Sequence, residues 1–205
     1  MLFAKIFNGK IDKIIIYPFG GISKFKIPLN ISPNKELLIT IAGPIFQIIA
    51  YYTMISLCPR YNNIIRIYHY SILIFNLLPI YPLDGGKIVN ILLSFKLPFK
   101  LSLKLTMYIS YMTLIFFIII NYPNFYLNFI IITIYLLYKI TIEERQIECI
   151  YNKFLLERYL YNYHFKSKEI IKNENNFYKN TKHIIKKNNN YYLERDFLEK
   201  KYKNI

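Results

Sequence analysis

The stretch NLLPIYPLDGGK, residues 76–87, interrupts an apolar run with two prolines, one carboxylate and two adjacent glycines. Pro79 and Pro82 have no N–H to donate and their rings clash with the preceding turn, so a helix entering this stretch is predicted to break ahead of Asp84. Gly85 and Gly86 leave the next backbone without side chains, which permits close approach by another element or by a ligand. A carboxylate at membrane depth costs a few kcal/mol unless it is paired, hydrated or bound to a metal, which makes Asp84 a candidate functional residue. Broken backbone at that depth is tolerated where it lines a water-accessible cavity or is buried in protein. The plainer reading is a helix end at the interface, with Asp84 in water, neutralised by Lys87, and the glycines as a stop signal.

Working outward, the chain has 205 residues, 54% of them hydrophobic, and a formal charge of +15. Its apolar residues collect into long runs almost free of charge, on the scale of the 20 or so residues that a hydrocarbon core of about 30 Å demands. A soluble globule is therefore not expected. Only three acids precede residue 143: Asp12, Glu36 and Asp84. The remaining nine share the last 63 residues with fourteen of the 27 Lys and Arg. Two cysteines, Cys58 and Cys149, are too few for a disulfide scaffold or a four-cysteine zinc site. Lys5, Lys10 and Lys13 break the opening apolar residues, so no signal peptide is expected.

The fold class expected is an α-helical polytopic membrane protein with about four spans, at 37–57, 64–82, 105–120 and 125–140. Residues 1–36 form an N-terminal membrane-associated β-hairpin, 37–142 the transmembrane core, and 143–205 a small basic α+β module. Lys and Arg concentrate in 1–36, in the linker 83–104 and in the tail, so these segments, with both termini, are assigned to the cytoplasmic side. In KIDKIIIYPFGGISKFKI, two extended pieces flank a turn for which Gly20 and Gly21 would supply the positive φ.

Asn76, Pro79, Leu83, Asp84, Gly85 and Gly86 together resemble the N-x-x-P-x-x-x-L-D-G-G motif of the site-2 proteases, the intramembrane zinc metalloproteases. PFGG at 18–21 and AGP at 42–44 resemble two further stretches of that family in the right order, so the likeness covers about residues 1–95. It is strongest to the small sporulation-type members. The resemblance implies one Zn2+ held by two His of an H-E-x-x-H helix and by Asp84. It also implies a substrate groove lined by Asn76, Pro79, Gly85, Gly86, Phe19, Gly20 and Gly21. The implied partners are a transmembrane protein substrate, such as a sigma-factor precursor, and a membrane regulator.

The first metal motif is absent: no H-E-x-x-H occurs, and the three histidines are His69, His164 and His183. His69 stands fifteen residues before Asp84, more than 20 Å away along a continuous helix at about 1.5 Å per residue. It reads as a packed residue. The catalytic glutamate is thus missing, and the ligand set is incomplete. Two readings follow. In one, the opening residues, with Ala4 and Lys5, resemble the stretch just beyond H-E-x-x-H, so the sequence begins downstream of a catalytic helix. In the other, the chain is a non-catalytic pseudoprotease that binds transmembrane partners. As given, it is expected to hold zinc poorly and to hydrolyse nothing.

In the tail, Ile147, Ile150, Phe154, Leu155 and Tyr159 recur at helical spacing. FKSKEIIKN and KHIIKKNNN are expected to form a two-stranded hairpin, and LERDFLEKKY a closing helix. Lys186, Lys187, Lys200 and Lys201 suit anionic lipid. No nucleic-acid recognition motif is visible, and nucleic acid is not expected as a partner. A transporter, which also uses broken helices and membrane acids, is disfavoured because Asp84 lies at the end of its span and no inverted repeat is apparent.

Overall fold

A computed structural model describes residues 10–17, 20–26, 28–121, 126–161, 163–165, 167–187 and 190–203, giving the backbone alone for 10–26. Strands β1 (Lys10–Tyr17) and β2 (Gly20–Lys26) pair antiparallel. Gly20 and Gly21 are the first residues of β2, opposite Tyr17 and Ile16, and not the turn expected for them. Only two residues separate the strands, so the connection has no room for the glycines. Phe19, assigned to the groove, lies outside the described residues.

Helix α1 (Pro33–Leu57) starts where Pro33 fixes φ and needs no donor, with the Ser32 carbonyl taking the N–H groups of Lys35 and Glu36 at 3.0 and 3.1 Å. Helix α2 (Asn62–Leu77) returns against it. It stops at Leu77, two residues before Pro79, since the residue preceding proline is pushed out of the helical region. A second helix, α3 (Asp84–Ser94), then begins at Asp84 itself. The linker expected at 83–104 is therefore largely helical, and Asp84 opens a helix instead of ending one.

Helix α4 (Phe99–Asn121) packs on α3, and α5 (Leu127–Arg145) packs on α4. Ser102, Thr106 and Ser110, four residues apart on α4, are all fully buried. Their hydroxyls bond the carbonyls of Phe99, Ser102 and Thr106 at 2.7–2.8 Å. Small hydroxylated residues at this spacing let neighbouring helices approach closely without an unpaired polar group. Ser110 Oγ also accepts the Tyr81 N–H at 2.9 Å, fixing the broken segment to α4.

Among the described residues, two helices, α1 and α4, are long and apolar enough to cross a membrane. Only 6% of the most apolar window of α1 is buried. A helix at the centre of a soluble core would have most of that surface covered by protein, so α1 requires lipid or a partner around it. Helices α2 and α5 are shorter, at 16 and 19 residues, and α5 carries Lys139, Glu143, Glu144 and Arg145 in its second half.

Beyond Gln146, α6 (Ile147–Leu160) leads into a three-stranded sheet of β3 (Ser167–Ile171), β4 (Thr181–Lys187) and β5 (Asn190–Leu193), closed by α7 (Glu194–Tyr202). The expected hairpin between the first two segments is not formed. They pair in parallel, Ser167 with Thr181 through Ile171 with Ile185, and the hairpin is β4–β5. The reason lies in the connection 172–180. Phe177 within it is fully buried, and its carbonyl takes the Phe99 N–H at 2.8 Å, so the chain is carried across to the start of α4 before it returns. Phe99, Leu103, Phe154, Leu155, Phe177, Ile185 and Leu198 belong to one buried cluster, which joins the tail to the helices.

Candidate functional site

The break before Asp84 is closed by its own glycines. A Cβ on Gly85 would stand 2.2 Å from the Leu77 carbonyl oxygen, and one on Gly86 would stand 2.4 Å from the Tyr81 nitrogen. Real side-chain carbons do not approach so closely, so only glycine lets the first turn of α3 tuck onto residues 77–81. Both glycines are buried, and the element that uses their open backbone is the chain's own broken segment. Pro79 and Asn76 are half-buried beside it.

From this N-terminus, Asp84 faces α1. A Cβ at Gly43 would be 3.3 Å from Asp84 Oδ2, and the adjacent Pro44 leaves the Thr40 carbonyl without its usual helical donor. The AGP and LDGG stretches, some forty residues apart, therefore meet. Between them is a cavity of about 380 Å³ lined by Glu36, Thr40, Gly43, Tyr81, Asp84 and Asn90, among others. Asp84 Oδ1 is paired with Lys87 Nζ at 3.0 Å, and both side chains remain partly exposed. Asn90 is buried, with Oδ1 3.5 Å from Thr106 Oγ1, whose proton goes to the Ser102 carbonyl. Asn76 and Pro79 are not among the lining residues. Glu36, Thr40 and Asn90 carry no motif, and their place at the cavity follows from how α1 and α3 cross. The four-residue spacing of Ser102, Thr106 and Ser110 was the one local signal for the α3–α4 contact.

The three histidines stand apart from Asp84 in three settings. His69 is buried on α2, with its ring stacked on Tyr51 at 4.1 Å. His164 is exposed in the tail. His183 lies in β4 within a buried polar network. In that network Arg158 Nη1 donates to Glu194 Oε1 and to the Thr181 carbonyl, both at 3.0 Å, and Arg158 Nε donates to Asn30 Oδ1 at 2.7 Å. The Tyr178 N–H donates to His183 Nε2 at 3.0 Å, which leaves the proton of a neutral imidazole on Nδ1, 3.4 Å from Glu194 Oε2. Burial, with Arg158 alongside, pushes the His183 pKa below its ordinary value, against the opposing pull of Glu194. Burial alone would raise the Glu194 carboxyl, but His183 and Arg158 hold it below the usual range.

The fold and the site define a helical protein with membrane-length helices, whose cavity is built on a broken helix that presents one carboxylate. No family model matches the chain. It is similar to stage IV sporulation protein FB of Bacillus subtilis, at 29% identity over 164 residues, 76% of this chain and 57% of that protein. It is also similar to zinc metalloprotease MJ0392 of Methanocaldococcus jannaschii, at 35% identity over 103 residues, 45% of this chain and 29% of that protein. The match thus spans a little over half of one relative and under a third of the other. These relatives support a site-2 protease-like, membrane-embedded family for the chain.

Zinc is part of one relative's name, so the donor set bears on it. Among the described residues, no three His, Cys, Asp or Glu side chains come together. Asp84 is a single carboxylate already engaged by Lys87. The residues present do not fit a zinc ion, which in hydrolytic sites takes three protein ligands.

Proposed function

We propose that the chain is the substrate-binding part, with one of three metal ligands, of an intramembrane metalloprotease of the site-2 type. The observation that supports this is the convergence of Gly43 and Asp84, each from a stretch resembling that family, on one cavity. In this reading Asp84 is the only zinc ligand the chain supplies. The other two, with the general base, belong to an H-E-x-x-H that the 205 residues do not contain. The chain's own residues pair the carboxylate with Lys87, offer Thr40 and Asn90 as polar contacts, and leave Gly43 bare for approach. Four spans, both termini on the cytoplasmic side, and cleavage of a membrane-embedded segment near that side complete the reading. An unwound substrate strand would add to an edge of β1–β2, and a sigma-factor precursor is one substrate of that kind.

The test supplies the missing motif, by extending the reading frame upstream or by co-expressing an H-E-x-x-H helix, and follows cleavage of a reporter carrying a transmembrane segment. Zinc-dependent cleavage that disappears in Asp84→Asn is expected. Cleavage retained by Asp84→Asn would remove the ligand role, and robust cleavage by the 205-residue chain alone would overturn the division of labour. The pairing of Asp84 with Lys87 favours a second reading, a non-catalytic binder of transmembrane partners. That reading gains if the completed protein retains the reporter without cutting it.

A further inference from the structure

The C-terminal module reaches the wall of the Asp84 cavity. Lys179, in the connection between β3 and β4, places Nζ 2.6 Å from Glu36 Oε2 on the first turn of α1. Its side chain is 1% exposed and its ammonium sits 4.6 Å over the Phe99 ring. Glu36 lines the cavity. A second tie lies alongside, where Glu157 Oε2 takes the Leu29 N–H at 2.7 Å and Leu29 is also a lining residue. A third is formed by Asn30, which donates to the Phe154 carbonyl at 2.9 Å and accepts from Arg158 Nε at 2.7 Å. The segment that leads into α1 and the first turn of that helix are thus held by the tail at Leu29, Asn30 and Glu36, of which Leu29 and Glu36 line the cavity.

Magnitudes separate these contacts from ordinary surface pairs. An exposed ion pair is worth about 0–1 kcal/mol and can be lost without consequence. Lys179 is out of water, so removing Glu36 leaves a buried charge with no partner, and the local structure must open to hydrate it.

We infer that Lys179 is a positioning residue of the cavity. It fixes Glu36 at the wall, so the tail controls access to Asp84 instead of hanging free beneath the membrane helices. This inference rests on the cavity walls and not on zinc, and it stands or falls separately from the protease reading.

Access is read by cysteine labelling of the full chain in membranes, with the exposed thiols Cys58 and Cys149 replaced by serine. Thr40→Cys reports on the cavity, and Ser102→Cys, at a fully buried position of α4, reports on global opening. Lys179→Met and Glu36→Gln should each speed maleimide labelling of Thr40→Cys by roughly tenfold while Ser102→Cys stays unreactive, as for a local opening. The double variant should label no faster than the faster single, because both changes remove the same contact. Unchanged labelling of Thr40→Cys, or additive effects in the double variant, overturns the inference. So does exposure of Ser102→Cys in both single variants, since the pair would then hold the whole fold. If Lys179→Met alone unfolds, Glu36→Gln, which keeps the packing of Lys179 on Phe99, decides the matter.

Discussion

Gly43 of α1 faces Asp84 at the N-terminus of α3 so closely that a Cβ would stand 3.3 Å from Asp84 Oδ2. The helices cross at the one place where α1 has neither a side chain at 43 nor a backbone donor at 44. Alanine at 43 needs a shift of only a few tenths of an ångström, and Asp84 is partly exposed. Gly43→Ala should therefore fold with less than about 1 kcal/mol lost, whereas Gly43→Leu, which fills the approach to the carboxylate, should lose about 1–3 kcal/mol. Thermal unfolding in detergent measures both.

The glycines after Asp84 should behave differently from the aspartate. Gly85→Ala and Gly86→Ala drive a carbon to within 2.2–2.4 Å of backbone atoms that cannot rotate away. Each should destabilise by about 3 kcal/mol or more, because the broken segment must move as a whole. Asp84→Asn keeps the shape and should leave the melting temperature almost unchanged. A large drop for Asp84→Asn would mean that the carboxylate holds the fold.

Arg158 is the centre of the tail. It bonds Glu194, Asn30 and the Thr181 carbonyl and stacks on Phe154 and Phe165 at 4.9 and 4.5 Å. Arg158→Met should cost about 3–5 kcal/mol, since it leaves the buried Glu194 without its cation. Unfolding of the tail, followed by protease susceptibility near residues 160–180, would show the loss. Arg158→Met combined with Glu194→Gln should recover part of it, because the stranded charge is gone.

Acid should loosen the same module in two stages. His183 has a folded pKa below its ordinary 6.5, so the unfolded chain takes up a proton first, and stability falls as pH drops from 6.5 toward the folded value. Glu194 has a folded pKa below its ordinary 4.5, so its contribution is present above 4.5 and is lost as pH falls through the lower folded value. Melting temperatures should hold between pH 7.5 and 6.5, fall below 6.5 through His183, and fall again below 4.5 through Glu194. His183→Gln should flatten the upper part of the curve only; an unchanged upper slope would refute the assignment.

The sequence by itself determined the break ahead of Asp84, the two-stranded N-terminal hairpin, the long apolar helices and the closing helix of the tail. These depend on properties carried within a few residues: a proline without a donor, a run of apolar side chains, a helical spacing. The meeting of AGP with LDGG was half legible, since each stretch stood out without indicating that Gly43 would lie against Asp84. Other features were decided only by tertiary structure. Asp84 begins a helix and does not end one, because Gly85 and Gly86 find room against residues 77–81. β3 and β4 run parallel because Phe177 is anchored to Phe99 between them. Lys179 reaches Glu36 across 143 positions and Arg158 reaches Asn30 across 128, and no local pattern marks such pairs. Their physical cause is burial: once the shared core brings the tail against the start of α1, each charge left out of water must find the partner that the fold has placed beside it.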